Sequence, residues 1–144
     1  MKLLIVDDEK LTREGILKSL PLEKLGIHHT FMADDGVHGL EIALKEKPDL
    51  ILTDVRMPRM SGVEMAEEIL KALPNAIILF MSAYSDKEYL KAAIKLKAVS
   101  YVDKPLDMNE LTEALAEGMK QYRSMYTSLN AKWMHEDNLR SQLA

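Results

Sequence analysis

The 144-residue chain contains no cysteine, so disulfides and thiolate metal sites are both excluded. It also lacks a long hydrophobic run. The opening "MKLLIVDDE" holds four apolar residues before two aspartates, too short for a signal peptide or a membrane span, and no later segment is long enough. Positive charge is not in excess either: 19 basic residues face 23 acidic ones, and the net charge of −4 argues against broad attraction to nucleic acid. There is no internal repeat and no low-complexity linker. These absences predict a soluble, cytoplasmic chain. The 47% hydrophobic content is enough for one globular domain with a full core and an appendage.

Four apolar runs of strand length recur: "LLIV" at 3–6, "LILT" at 50–53, "AIILFM" at 76–81 and "AVSYV" at 98–102. A weaker one, "HHTFMA" at 28–33, lies between the first two. Between the strands the apolar residues take helical spacing. Val37, Leu40 and Leu44 share one face, as do Val63, Ala66, Leu70 and Leu73, and again Tyr89, Ala93 and Leu96. Ser61 is placed to cap one helix, Ser85 and Asp86 open the next, and Pro48 and Pro74 sit in returns. Helices are predicted near 9–20, 36–46, 62–72, 86–97 and from 107 onward. Strands that are apolar throughout and alternate with helices imply an α/β fold, a doubly wound parallel sheet covered on both faces.

In such a sheet, ligands gather beyond the carboxyl ends of the strands, near the point where strand order reverses. Asp7, Asp8 and Glu9 follow the first strand, Asp54 ends the third, Ser82 follows the fourth and Lys104 the fifth. All should converge on one edge. Three carboxylates in one pocket repel each other unless a cation sits among them. With no cysteine, and with His28, His29, His38 and His135 outside these loops, all-oxygen ligation favours Mg²⁺. A magnesium ion held by Asp8 and Asp54 suits phosphoryl transfer, with Asp54 as nucleophile, Lys104 as a second positive charge and Ser82 as a hydroxyl donor.

Together, "LLIVDDE", "LILTDVRMPRMSG", "MSA" and "YVDKP" resemble the receiver domain of bacterial two-component response regulators, over about residues 1–120. The resemblance implies a flavodoxin-like, five-stranded sheet of order 2-1-3-4-5. It implies Asp54 as phosphoacceptor from a sensor histidine kinase, with Mg²⁺ held by Asp8, Asp54 and the Arg56 backbone carbonyl, and by Asp7 through water. Ser82 and Lys104 would contact the phosphoryl group. Tyr101, three residues before the lysine, would be the switch residue that swings with Ser82, although an inert half-buried tyrosine is the competing reading. A cis peptide before Pro105 is also implied. Two other functions stay open: a magnesium-dependent phosphohydrolase with an Asp nucleophile, and a receiver-like dimerisation module that never carries phosphate.

Some residues depart from the family pattern. Lys97 stands where a glycine is usual, Asp103 is placed to compete for Lys104, and the bulky Arg56 and Tyr84 flank the approach to Asp54. The tail, 121–144, reads as a helical linker. Leu115, Met119, Tyr122, Tyr126, Leu129 and Trp133 follow a 4-3-4-3-4 alternation, the signature of a coiled-coil seam and hence of a homodimer; Gly118 weakens it. A single helix packing on its own domain fits the same spacing. No second globular pattern follows, so nucleic-acid binding is expected only through an output domain outside the chain. The segments "PLEKLGI" at 21–27 and "AIKLKAVSYVDKPLDMNEL" at 93–111 most resemble receivers that precede AraC-type helix-turn-helix domains.

Overall fold

A computed structural model describes residues 1–94 and 100–124, apart from the side chains of Tyr84, Tyr89 and residues 92–94. The expectations for Lys97, for the Tyr89–Ala93–Leu96 face and for the seam at Tyr126, Leu129 and Trp133 lie outside the described residues, as does the Tyr84 side chain.

The strands are β1 (Lys2–Val6), β2 (His29–Ala33), β3 (Leu50–Asp54), β4 (Ile77–Ser82) and β5 (Ser100–Asp103). All are parallel, in the order β2-β1-β3-β4-β5. This is the doubly wound, flavodoxin-like sheet expected. The helices are α1 (Lys10–Ser19), α2 (Leu22–Leu25), α3 (Gly36–Glu46), α4 (Gly62–Ala72) and α5 (Lys87–Ile94), with α5 preceded by a 3-10 turn over Tyr84–Asp86. A further helix, α6, runs through 108–124.

Side-chain alternation along the strands sorts the core into two layers. Leu3, Ile5, Leu50, Leu52, Ile77, Leu79, Met81 and Val102 face α1, α2 and α6. Leu4, Val6, Ile51, Ile78 and Phe80 face α3, α4 and α5. Central strands buried on both faces explain the unbroken apolar runs, and each fully buried Leu or Ile stabilises the fold by about 2 kcal/mol.

Two local features differ from the sequence expectation, and a third bears on the two readings of the tail. The short helix α2 was not foreseen; Gly26, in the left-handed region at φ 73°, ends it, and the Pro-then-Gly frame of "PLEKLG" was the signal available. In α3 the buried residues are Gly36, Gly39 and Ala43, whereas Leu44 is 47% exposed. The helix lies too close to its neighbours for a large contact residue: a Cβ on Gly39 would stand 2.6 Å from Met65 Sδ. In α6, Leu115 and Met119 are buried in the domain's own core, with Tyr122 packed against it. The first half of the supposed dimer seam is therefore spent within the molecule. Gly118 permits this by close approach, since a Cβ there would lie 3.0 Å from Ile77 Cγ2.

Candidate functional site

β1 lies between β2 and β3, so the strand order reverses beside it. Asp7 follows β1 and Asp54 closes β3, which sets both at the crevice that such a reversal opens. Alternation puts Asp7 on the face of Leu3 and Ile5, Asp54 on that of Leu50 and Leu52, and Lys104 on that of Val102. That is one face, and the three side chains meet there. Lys104 Nζ donates to Asp54 Oδ2 at 3.1 Å and stands 3.5 Å from Asp7 Oδ2. Carboxylate oxygens of Asp7, Asp8 and Asp54 lie within 4.8 Å of one another.

Asp54 is nearly buried, with Oδ1 accepting the Val55 N–H at 2.9 Å and Oδ2 taken by Lys104. Asp7 is fully buried: Oδ1 accepts the Glu9 N–H at 2.8 Å, and Oδ2 has no hydrogen-bond donor. Asp8 is exposed. Burial pushes the Asp7 and Asp54 carboxyls above the usual carboxylate range, only partly opposed by the Lys104 charge. For Lys104, burial favours the neutral amine, but the charges of Asp54 and Asp7 outweigh it and the ammonium is held more firmly than usual. Three carboxylates against one ammonium leave a local charge of −2, the complement of a divalent cation.

The loops around this cluster are tied down by pairings that the sequence does not show. Arg13 Nη1 donates to the Asp7 carbonyl at 2.5 Å. Arg56 Nε pairs with the buried carboxylate of Asp86 at 2.8 Å, and Asp86 also accepts the Ala83 N–H. Arg59 pairs with Asp35, the N-cap of α3. Asp35, directly before the first α3 residue Gly36, is a residue type that would have marked this cap; nothing in sequence names its partner.

The other expected residues fall as follows. Ser82 is fully buried at the end of β4, with its hydroxyl donating to the Ala83 carbonyl at 3.1 Å. Tyr101 is 43% exposed, and the Lys87 ammonium lies 4.6 Å from its ring centre. Asp103 does not compete for Lys104; it pairs with Lys87. The Lys104-Pro105 peptide is cis, as anticipated. Beside Lys104 a groove opens between Leu11, Thr12 and Gly15 of α1 and Pro105 and Leu106, with Leu11 82% exposed. Among the described residues no helix is long and apolar enough to cross a membrane.

A family model described as the response regulator receiver domain matches residues 3–116. The chain belongs to this receiver family. Its fold agrees with that of a two-component transcriptional regulator AraC from Clostridium phytofermentans, at 48% identity and a TM-score of 0.83, covering 86% of this chain and 96% of that one. The receiver domain of AraT, a response regulator from Geobacillus stearothermophilus, is similar at 31% identity and a TM-score of 0.79, covering 89% and 97%. An uncharacterized response regulatory protein of Staphylococcus epidermidis is 39% identical over 79% of this chain and 45% of its own length. The transcriptional regulatory protein HptR of Staphylococcus aureus is 36% identical over 76% and 43%. The chain thus spans less than half the length of these two relatives.

Receiver domains bind Mg²⁺ through acidic residues, and the Asp7, Asp8 and Asp54 cluster fits that ion. The fit rests on the buried, donorless Asp7 Oδ2 and on the all-oxygen donor set.

Proposed function

We propose that this receiver accepts a phosphoryl group on Asp54 from the phosphohistidine of a sensor histidine kinase. The convergence of Asp54, Lys104, Asp7 and Asp8 carries the reading. Asp8, Asp54 and the Arg56 carbonyl would hold Mg²⁺, with Asp7 acting through a water. The ion would supply positive charge to the incoming phosphoryl oxygens.

The remaining chemistry belongs to the chain's own residues. An Asp54 carboxylate oxygen forms the new bond to phosphorus, the phosphorus–nitrogen bond of the donor breaks, and its electron pair returns to the imidazole, which takes up a proton. Lys104 leaves Asp54 Oδ2 free to attack and follows the negative charge to a phosphoryl oxygen. The Ser82 hydroxyl turns from the Ala83 carbonyl to a second oxygen, and Tyr101 moves into the space it leaves. The new charge therefore reshapes the surface around α5, β5 and α6. The groove beside Lys104 is the open approach for a protein donor.

The similarity to regulators named as transcriptional, and the coverage of less than half of two such relatives, support a place as the regulatory part of a longer transcription regulator with an AraC-type output domain. Intact-mass measurement after acetyl phosphate and Mg²⁺ tests the core claim. A gain of about 80 Da, one phosphoryl group, that is lost in Asp54→Asn supports it. Undiminished labelling of the variant refutes it, multiple turnover of phosphoesters favours a phosphohydrolase, and no labelling favours a phosphate-independent module.

A further inference from the structure

Arg59 occupies a backbone conformation that arginine rarely takes. Its φ is 69°, in the left-handed region where a Cβ crowds the following carbonyl. Glycine or asparagine would sit there with less strain, so an arginine there persists because its surroundings over-determine it. The surroundings are specific. Both Nε and Nη2 of Arg59 reach Asp35 Oδ2, at 2.8 and 2.6 Å. Asp35 is itself fixed: its side chain is only 12% exposed, and Oδ1 accepts the His38 N–H at 2.8 Å to cap α3.

The segment that this pair holds, 55–61, joins the end of β3 to the start of α4. Its base is closed by the Gly62 N–H donating to the Val55 carbonyl at 2.8 Å, and Gly62 lies so near Asp54 that a Cβ would meet the Asp54 carbonyl oxygen at 1.9 Å. The Met60 carbonyl lies against Gly36, at the first turn of α3. Arg56 leads the other way, to Asp86 beside β4. The segment is therefore drawn between two anchors, α3 on one side and the β4–α5 turn on the other, with Arg56 between Asp54 and Arg59.

We propose that Arg59, through Asp35, is a positioning residue for divalent-metal binding: it holds 55–61 so that the Arg56 carbonyl is presented to the ion. This rests on the reading of Asp8, Asp54 and Arg56 as metal ligands. Mg²⁺ demands near-ideal octahedral geometry at short distances, so a carbonyl ligand on a loosened segment is a poorer one even when both carboxylates are intact.

The test is a Mn²⁺ binding titration read by electron paramagnetic resonance, with Mg²⁺ affinity from calorimetry, on the full chain. Arg59→Gly removes the tie while suiting the left-handed backbone. Asp35→Asn keeps a competent helix cap but removes the charge that Arg59 grips. Each variant is expected to bind metal about tenfold more weakly, the scale on which outer-shell partners act, and the double variant no more weakly than either single. Wild-type affinity in both singles overturns the proposal, whatever happens to thermal stability. If Arg59→Gly does not fold, Asp35→Asn decides. Asp8→Asn separates the two levels. If it leaves metal binding intact, the ligand reading itself fails; if it abolishes binding while the other variants bind normally, only the role of Arg59 fails.

Discussion

Lys104 Nζ lies 3.1 Å from Asp54 Oδ2 although fifty residues separate the two in the chain. It is the positive charge shared by two raised carboxyls, and its loss leaves Asp7 and Asp54 facing each other uncompensated. Breaking a buried ion pair from one side costs several kcal/mol, and the 28% exposure of the Lys104 side chain reduces that here. Lys104→Met is expected to lower stability by about 1–3 kcal/mol in chelator. Added Mg²⁺ should recover much of the loss, because a divalent ion replaces the missing charge. Urea denaturation with and without Mg²⁺ measures both effects; an equal loss under the two conditions contradicts the argument.

Asp7 gives a prediction with the opposite sign. Burial raises its pKa above the ordinary 3.8, as it does for Asp54. Between 3.8 and the raised value the folded state binds more protons than the unfolded one, so stability grows as pH falls through that window and is lost as pH rises above it. Asp35 behaves in reverse. The backbone N–H of His38 holds its carboxyl low, so its contribution is complete above 3.8 and disappears only in more acidic solution. Asp7→Asn keeps the acceptor for Glu9 and removes the buried charge. Without metal it should be more stable than wild type at pH 7.5, with a flatter pH profile above pH 4 and weaker Mg²⁺ binding. Thermal melts across pH in chelator check this; a variant less stable than wild type at pH 7.5 would refute it.

Strand positions and the convergence of Asp7, Asp8, Asp54 and Lys104 were legible in sequence because both follow from local pattern: apolar runs mark central strands, and a parallel sheet sends their carboxyl ends to one edge. The missed features depend on distance and partner. Small residues such as Gly39 and Ala43 carry no periodic hydrophobic signal, yet they mark the line of closest approach in α3. Leu115 and Met119 fit a coiled-coil seam and a domain core equally well; only their burial in the folded domain decides. The ties from Arg13, Arg56 and Arg59 span six, thirty and twenty-four residues. An exposed-looking arginine in sequence does not reveal the carboxylate or carbonyl it will reach.

Two glycines should respond in opposite ways to the same substitution. At Gly62 an added methyl overlaps the backbone of Asp54, whereas at Gly15, exposed in α1, nothing lies within 4 Å. Gly62→Ala must push apart β3 and the start of α4, costing about 3 kcal/mol and impairing phosphorylation along with stability. Gly15→Ala improves helix propensity and should add about 0.5–1 kcal/mol. Equilibrium denaturation of the pair provides an internal control: similar effects at both positions would mean that the close approach at Asp54 is absent.

Lys87 joins Tyr101 to Asp103. Its ammonium lies 4.6 Å from the Tyr101 ring centre and pairs with the Asp103 carboxylate, and the carboxylate holds the lysine more firmly protonated than usual. A cation over the ring face favours the outward tyrosine. If phosphorylated Asp54 favours the inward one, the two events are linked, and a contact that stabilises the outward state must oppose phosphorylation by the same factor. Lys87→Met keeps much of the side-chain bulk and removes the charge. Its phosphorylated fraction at limiting acetyl phosphate should rise several-fold, and high salt, which screens the exposed pair, should narrow the difference from wild type. Tyr101→Ala has no ring to hold, so adding Lys87→Met to it should change nothing. A full Lys87 effect in the Tyr101→Ala background would show that the lysine acts by another route.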